Sequence, residues 1–135
     1  MATNLSEKAS FVWDIAGKSI TVYVRGEIDH HTAVTVRNGI DAVLFEKRPN
    51  QLRLDLSGVG FMDSSGLGLI MGRLSVMKAL GGKLLILNPG PEVGRILSLA
   101  GMERLVPIAF TSRDERPAEK CGAHRRRATE QDPTA

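Results

Sequence analysis

The chain has 135 residues, 42% of them hydrophobic and 4% aromatic, which is enough for one domain with a core built mainly from Leu, Ile, Val and Met. The formal net charge is +3, and the folded part lacks the basic cluster that nucleic-acid binding requires. No apolar stretch approaches the roughly 18 residues of a membrane-spanning helix.

The cysteine content and the N-terminus bear on the cellular compartment. Cys121 is the single cysteine, so the chain has no internal disulfide and no cysteine-based metal site, which fits a reducing environment. Residues 1–10 are polar and lack the apolar core of a signal peptide. The sequence therefore predicts a soluble, cytoplasmic protein.

A hairpin is predicted at the start of the fold. Apolar and polar side chains alternate over residues 11–15 and again over residues 20–24, with a short turn at residues 16–18 between them. Gly26 is predicted to end the second strand.

The first predicted helix begins where the spacing of apolar residues changes. From Asp29 onward they recur every three or four positions, and the pattern ends near Lys47. Either Asp29 or Thr32 is suited to cap the first turn. The predicted buried face consists of Ala33, Val36, Ile40 and Val43.

Strands and helices alternate in the rest of the chain. A strand over residues 52–56 leads through a looser segment, residues 57–60, into a helix from about Ser65 to Leu80. Residues 84–87 are apolar on both faces, as in a central covered strand. A helix beginning at Pro91 and a last strand within 105–110 follow.

The order β-β-α-β-α-β-α-β predicts an α/β fold, in which a mixed β-sheet combines parallel crossover units with the initial hairpin. We predict a single domain over residues 1–110. Residues 111–135 contain charges, Ala, Pro and Gly without apolar periodicity, which predicts a disordered polar tail. Its basic run, Arg125-Arg126-Arg127, is typical of a solvated segment.

The segment Phe61-Met62-Asp63-Ser64-Ser65-Gly66-Leu67-Gly68 lies where the third predicted strand gives way to a helix. A turn of this kind exposes polar atoms. Asp and Ser both accept hydrogen bonds from the free N–H groups of a first helical turn, so a helix cap is the simplest interpretation. A serine in this place is also accessible to modification by another protein.

Catalytic patterns fit this segment poorly. A serine hydrolase elbow needs Gly-x-Ser-x-Gly, but Met62 and Asp63 occupy the first position of the two possible frames. The histidines that could act as a base are His30, His31 and His124. We therefore predict that the chain is not a self-contained hydrolase.

Nucleotide and metal sites are also disfavoured. Gly81-Gly82-Lys83 lacks the earlier glycine of a phosphate loop and is followed by Leu84. The glycines of residues 66–72 are spaced one residue too widely for a dinucleotide fingerprint. His30 and His31, adjacent on a helix, point about 100° apart and have no third ligand nearby. We predict no cofactor and no metal.

Phosphorylation of Ser64 is chemically compatible with this turn. A phosphate adds roughly −1.5 to −2 charge. The free N–H groups and dipole of a helix N-terminus stabilise such a charge by about 1 kcal/mol, up to about 2. A partner resting on Ser64 would bury that charge beside Asp63, which can cost several kcal/mol. The modification can therefore abolish binding without unfolding the domain.

Two motifs together resemble a known family. Residues 61–68 and the segment Gly26-Glu27-Ile28-Asp29-His30-His31-Thr32-Ala33 are similar to bacterial anti-sigma factor antagonists of the sporulation type, whose fold is the STAS domain. The similarity runs from about Phe11 to Phe110 and includes Gly81-Gly82 and residues 98–102.

The resemblance implies a switch between partners. The unphosphorylated antagonist binds an anti-sigma factor that is also a serine kinase, which frees a sigma factor for transcription. The kinase uses ATP to phosphorylate the residue equivalent to Ser64, and a PP2C-type phosphatase reverses this. No nucleic acid, membrane or small-molecule substrate is expected as a partner.

The same resemblance implies which residues contact the partner. Asp29 is expected to accept charge-assisted hydrogen bonds from a basic partner residue, and Gly66 is expected to allow a close approach. The full set of expected partner-binding residues is Glu27, Asp29, His30, His31, Thr32, Asp63, Ser65 and Gly66.

Two alternatives remain open. A STAS domain can serve another assembly, such as a stressosome-like scaffold or a lipid-transport accessory subunit, but those proteins often lack the serine or the Asp-His-His-Thr segment found here. A small enzyme or nucleotide binder is the other alternative. One departure from the family is that relatives usually carry a further amphipathic helix after the last strand, whereas residues 111–135 offer no apolar face.

Overall fold

The computed structural model describes residues 9–111 and the backbone of residues 126 and 127. It contains an α/β domain in which three α-helices and one 3-10 turn pack with a single sheet. The elements are β1 Ala9–Ala16, β2 Ser19–Ile28, α1 His30–Lys47, β3 Gln51–Met62, α2 Ser64–Ala79, β4 Lys83–Leu87, α3 Pro91–Leu99, the 3-10 turn Met102–Arg104, β5 Ile108–Ala109 and β6 Arg126–Arg127.

The sheet has the strand order β5-β4-β3-β2-β1-β6. β1 and β2 form the predicted antiparallel hairpin, while β2, β3, β4 and β5 are successively parallel. Parallel neighbours need crossover connections, and α1, α2 and α3 supply them. The predicted α/β class and the order of elements up to β5 are confirmed.

The core lies where α1 and α2 pack against the sheet. α1 contacts β1 and β2, α2 contacts β3 and β4, and the two helices contact each other. A row of paired residues crosses the sheet beneath them and is buried: Trp13, Val22, Leu54 and Ile86. The predicted inner face of α1, formed by Ala33, Val36, Ile40 and Val43, is buried as well. Alternation in the strands and helical spacing in α1 therefore identified the core correctly.

Two strands run further than their sequence pattern indicates. β2 does not end at Gly26, which has a φ of 98° and stays in the ladder, and β3 continues through residues 57–60 to Met62. Their pairing shifts register between Tyr23 and Arg25 and again after Gly26. These irregularities act as β-bulges. The regular pairing of β2 with β3 is interrupted at each of them and resumes in a shifted register.

The C-terminal part of the domain differs more. The expected strand within residues 105–110 is reduced to Ile108–Ala109, preceded by the 3-10 turn. β6 pairs with Val12 and Trp13 of β1, which the sequence did not predict for this part of the tail. The rest of the tail, residues 112–125 and 128–135, lies outside the described residues, so its disorder stays a prediction.

A buried amide holds the end of the described domain against the sheet. Asn88, with a left-handed φ of 55°, donates from Nδ2 to Asp55 Oδ2 at 2.9 Å and to Thr111 Oγ1 at 3.0 Å. The Thr111 backbone N–H donates back to Asn88 Oδ1 at 2.8 Å. Asn88, directly after β4, thereby joins Asp55 of β3 to Thr111, two residues after β5.

Within residues 9–111, none of the helices combines the length and the apolar composition needed to cross a membrane.

Candidate functional site

The starts of α1 and α2 lie side by side at one edge of the sheet. The last register pair between β2 and β3 is Ile28 with Met62, and each strand is followed by an aspartate that caps the next helix. The Asp63 backbone N–H donates to Ile28 O at 3.2 Å, which continues the connection one residue beyond the strands. The two sequence motifs therefore meet at one surface, although their capping residues Asp29 and Asp63 are 34 positions apart in the sequence.

Asp29 caps α1 through a reciprocal set of hydrogen bonds. Its Oδ1 accepts from the backbone N–H groups of His31 and Thr32, both at 2.9 Å. The Thr32 hydroxyl accepts from the Asp29 backbone N–H at 2.9 Å and donates to Glu27 O, also at 2.9 Å. This capping box fixes the path of the chain from β2 into α1.

Thr32, one of the residues expected to contact a partner, lies beneath the surface. Its side chain is only 2% exposed, and its hydroxyl bonds within the chain to Glu27 and Asp29. Thr32 therefore shapes the surface from beneath, while Asp29, which is half-buried, combines a capping role with partial access to solvent.

Asp63 caps α2 with a single side-chain hydrogen bond. Its Oδ1 accepts from the Ser65 backbone N–H at 2.8 Å, and its carbonyl oxygen accepts from the Gly66 N–H at 2.9 Å. Ser64 is the first residue of the helix and its side chain is exposed. In the described part of the chain, the Ser64 hydroxyl takes part in no hydrogen bond. A second protein can therefore reach it without breaking an internal contact.

Gly66 is needed for packing inside the domain. A Cβ at this position would lie 2.7 Å from Met62 Cβ and 2.9 Å from Met62 Sδ, both closer than real contacts allow. Gly66 is buried and Met62 is 1% exposed, so Gly66 allows a close approach within its own chain. The expected close approach of a partner to Gly66 stays a prediction.

We call the exposed side chains of both motifs the docking surface, as the candidate for partner binding: Glu27, His30, His31, Phe61 and Ser64. Asp29, Asp63 and Ser65 border it and are half-buried. The imidazole rings of His30 and His31 stack with their centroids 5.2 Å apart and 26° between planes, so they present one flat polar face despite their sequence adjacency. No group of three or more potential metal ligands occurs within residues 9–111.

Phe61 is the functional candidate that motif reasoning left out of the partner-binding set. It pairs with Glu27 across β2 and β3 and is 45% exposed, although it is large and apolar. Val34, one helical turn after His30, is also 45% exposed. Exposed aromatic and aliphatic groups beside polar ones are typical of interface cores. The signal available in the sequence was an aromatic residue two positions before Asp63, the cap of α2.

Known proteins are similar to this chain in both sequence and fold. The profile of the STAS domain matches residues 13–115. The anti-sigma F factor antagonist of Paenibacillus polymyxa is 36% identical over 89 residues, which span 66% of this chain and 76% of the relative.

Two solved structures of one relative add the three-dimensional comparison. The anti-sigma factor antagonist SpoIIAA in its unphosphorylated form is similar with a TM-score of 0.67 and 26% identity, over 78% of this chain and 91% of that one. The Bacillus cell fate determinant SpoIIAA in its phosphorylated form gives a TM-score of 0.62 and 25% identity, over 78% and 95%.

The packing of Gly66 predicts contrasting effects for two neighbouring glycines. Gly66→Ala should destabilise the domain by about 1–3 kcal/mol, because the buried Met62 must move. Gly68→Ala is the matched control, since a Cβ there meets nothing within 4 Å and alanine favours the helix by about 0.5–1 kcal/mol. Urea unfolding of both variants measures the difference, and equal stabilities would contradict this view of Gly66.

The capping box predicts that Asp29 contributes to stability through its acceptor atom. Asp29→Ala should lower the free energy of unfolding by about 1 kcal/mol, whereas Asp29→Asn should change it little, because asparagine caps as well as aspartate. Thermal and urea unfolding provide the measurement. If asparagine destabilises as much as alanine, the charge and not the hydrogen bond stabilises the helix start.

Proposed function

We propose that this chain, which belongs to the STAS domain family, is an anti-sigma factor antagonist controlled by phosphorylation of Ser64. In its unphosphorylated form it binds a cognate anti-sigma factor that is also a serine kinase, and this binding frees a sigma factor for transcription. The kinase transfers phosphate from ATP to Ser64, and a PP2C-type phosphatase removes it. The chain acts by binding in the cytoplasm and not by catalysis.

The single observation that supports this proposal most is the setting of Ser64. Its hydroxyl is exposed at the first position of α2, and the second motif lies directly beside it because β2 and β3 end together. A kinase that docks on His30 and His31 would therefore have the acceptor serine within the same footprint. The existence of SpoIIAA in both phosphorylated and unphosphorylated forms is consistent with such chemistry in a relative.

The helix start can hold the phosphate without losing its structure. The group would sit at the positive end of the α2 dipole, where an anion is stabilised by about 1 kcal/mol. The Asp63 cap already places a carboxylate at this end, and the cap hydrogen bond goes to Ser65 and not to Ser64. Adding a phosphate to Ser64 therefore requires no internal hydrogen bond to break.

The docking surface responds differently to the same charge. Glu27, Asp29 and Asp63 already make this edge acidic. Acidic groups favour a basic partner surface through charge-assisted hydrogen bonds, but a further dianion has to be desolvated when the partner covers it. Since each 1.4 kcal/mol changes an affinity about tenfold, a penalty of a few kcal/mol is enough to release the partner.

The remaining residues of the expected set act by shape and orientation. His30 and His31 offer a flat, stacked pair, and Phe61 offers an apolar anchor beside them. Ser65 donates its backbone N–H to Asp63 and so holds the first turn in which Ser64 is displayed. Thr32 and Gly66 support this surface through Glu27 and Met62, respectively.

The phosphate acceptor is tested by a kinase reaction on matched serine variants. A purified anti-sigma serine kinase with labelled ATP should phosphorylate the wild-type protein and Ser65→Ala, but not Ser64→Ala, because only Ser64 presents an exposed hydroxyl at the helix start. Mass spectrometry locates the phosphate. Incorporation of phosphate with ATP alone would favour an enzyme, and labelling of Ser64→Ala would assign the acceptor elsewhere.

The separation of binding from stability is tested with a charge at Ser64. Ser64→Asp should weaken binding to the same kinase at least tenfold, and its melting temperature should stay close to that of the wild type, because the N-terminus of α2 accepts an acid. Ser75→Asp, exposed three turns later on α2, is the control and should bind normally. Unfolding of Ser64→Asp, or wild-type affinity, would contradict the mechanism.

A further inference from the structure

α1 and α2 are connected by an ion pair that lies largely out of solvent. Arg73 Nε of α2 is 3.1 Å from Asp41 Oδ1 of α1, and the two side chains are 5% and 23% exposed. The two other ion pairs found among the described residues, Lys47 with Glu46 and Arg95 with Glu92, are 3.9 Å apart and far more exposed. The Asp41–Arg73 pair is therefore distinctive in both its burial and its bridging of two elements.

This pair is remote from the docking surface. Asp41 lies twelve residues after Asp29 and Arg73 ten residues after Asp63, which correspond to roughly 18 and 15 Å along the helices at 1.5 Å per residue. A partner that covers the helix starts does not reach it. Any influence of the pair on binding must therefore be transmitted by the positions of α1 and α2.

The side of each helix that carries the pair extends back toward the helix start. Val34 precedes Asp41 by two turns, and Gly66 precedes Arg73 by two turns, so each lies on the same side of its helix as the charged residue. A slide or rotation at the ion pair would thus be carried to the contact of Gly66 with Met62 and to the Asp63 cap.

Stability alone does not explain the pair. Burial raises the pKa of Asp41 although Arg73 and, more weakly, Arg37 oppose this, and burial lowers the pKa of Arg73 although Asp41 opposes that. A raised pKa means that ionised Asp41 is less favourable in the folded chain than in the unfolded one, so its contribution to stability falls as pH rises through the folded pKa.

The hydrogen bonding of the pair is also incomplete. Among the described residues, Arg73 Nε and Nη1 and Asp41 Oδ1 find no partner with hydrogen-bond geometry. Replacing such a buried pair by apolar side chains of similar volume is often neutral or stabilising. An apolar contact between two helices has no directional attraction, so the helices can slide along each other. An ion pair opposes such sliding. Buried polar groups that fix register are known from helical assemblies.

We propose that Asp41 and Arg73 are positioning residues that fix how far α1 is displaced along α2, and thereby set the spacing between the Asp29 cap and Ser64. The binding part of this inference rests on the proposed function. Its structural part does not, because the positions of the two helix starts can be measured on the protein alone.

The double variant Asp41→Leu/Arg73→Met tests the inference. It should unfold at the same temperature as the wild type or higher, while its affinity for the kinase that phosphorylates Ser64 should fall at least tenfold in calorimetry. In NMR spectra without partner, the amide resonances of His31, Thr32, Ser65 and Gly66 should shift. Glu92→Leu/Arg95→Met removes the same charges from the exposed pair on α3 and should change neither affinity nor these resonances.

Wild-type affinity together with unshifted amides in the double variant would overturn the inference. If that variant does not fold, Asp41→Asn replaces it, since it preserves volume and removes the charge, and the same amides should shift with an affinity loss of at least threefold. If the kinase fails to bind even the wild type, the proposed function is wrong, and the amide shifts still decide whether the pair positions the helices.

Discussion

The parallel pairing of β2 with β3 is the constraint on which the functional surface depends. Both strands run beyond their regular alternation and end together at Ile28 and Met62, so the two helices that follow begin at the same edge. The bulge near Gly26 makes this possible, because it restores register after the interruption. Had either strand ended where its alternation ends, the two motifs would not share one surface.

Local hydrogen bonds then determine which polar atoms of that surface are engaged within the chain and which are accessible. Asp29 and Asp63 satisfy the first N–H groups of their helices, and Thr32 closes the capping box from within. Ser64 remains exposed and uncommitted among the described residues. The same features that stabilise the helix starts thus leave one hydroxyl available, at a place where added negative charge is compatible with the fold.

Periodicity in the sequence was sufficient to predict the helices, the strands and the core, but not where the strands end. The inner face of α1 and the alternation around Val22 were correctly predicted, because apolar residues at helical or strand spacing indicate the buried face of an element. The ends of β2 and β3 depend on hydrogen bonds between strands, which no local pattern contains. The packing role of Gly66 was missed for the same reason, since it is set by Met62 across the turn.

Charged residues in the interior were likewise invisible in the sequence. Arg73 occupies a helical position where a basic residue is normally solvated, yet it is 4% exposed against α1. Phe61 is the converse case, an aromatic residue in a strand that remains exposed. These two departures from the pattern of apolar inside and polar outside lie in α2 and β3, the two elements on either side of Asp63.

We propose that the start of α2 accepts a phosphate on Ser64 and that the same phosphate prevents the partner from binding. Isothermal titration of an anti-sigma serine kinase with wild-type protein, first unphosphorylated and then stoichiometrically phosphorylated, tests it most directly, with circular dichroism of both forms alongside. We expect the affinity to fall at least tenfold on phosphorylation while the melting temperature is retained. Equal affinities of the two forms would contradict the account.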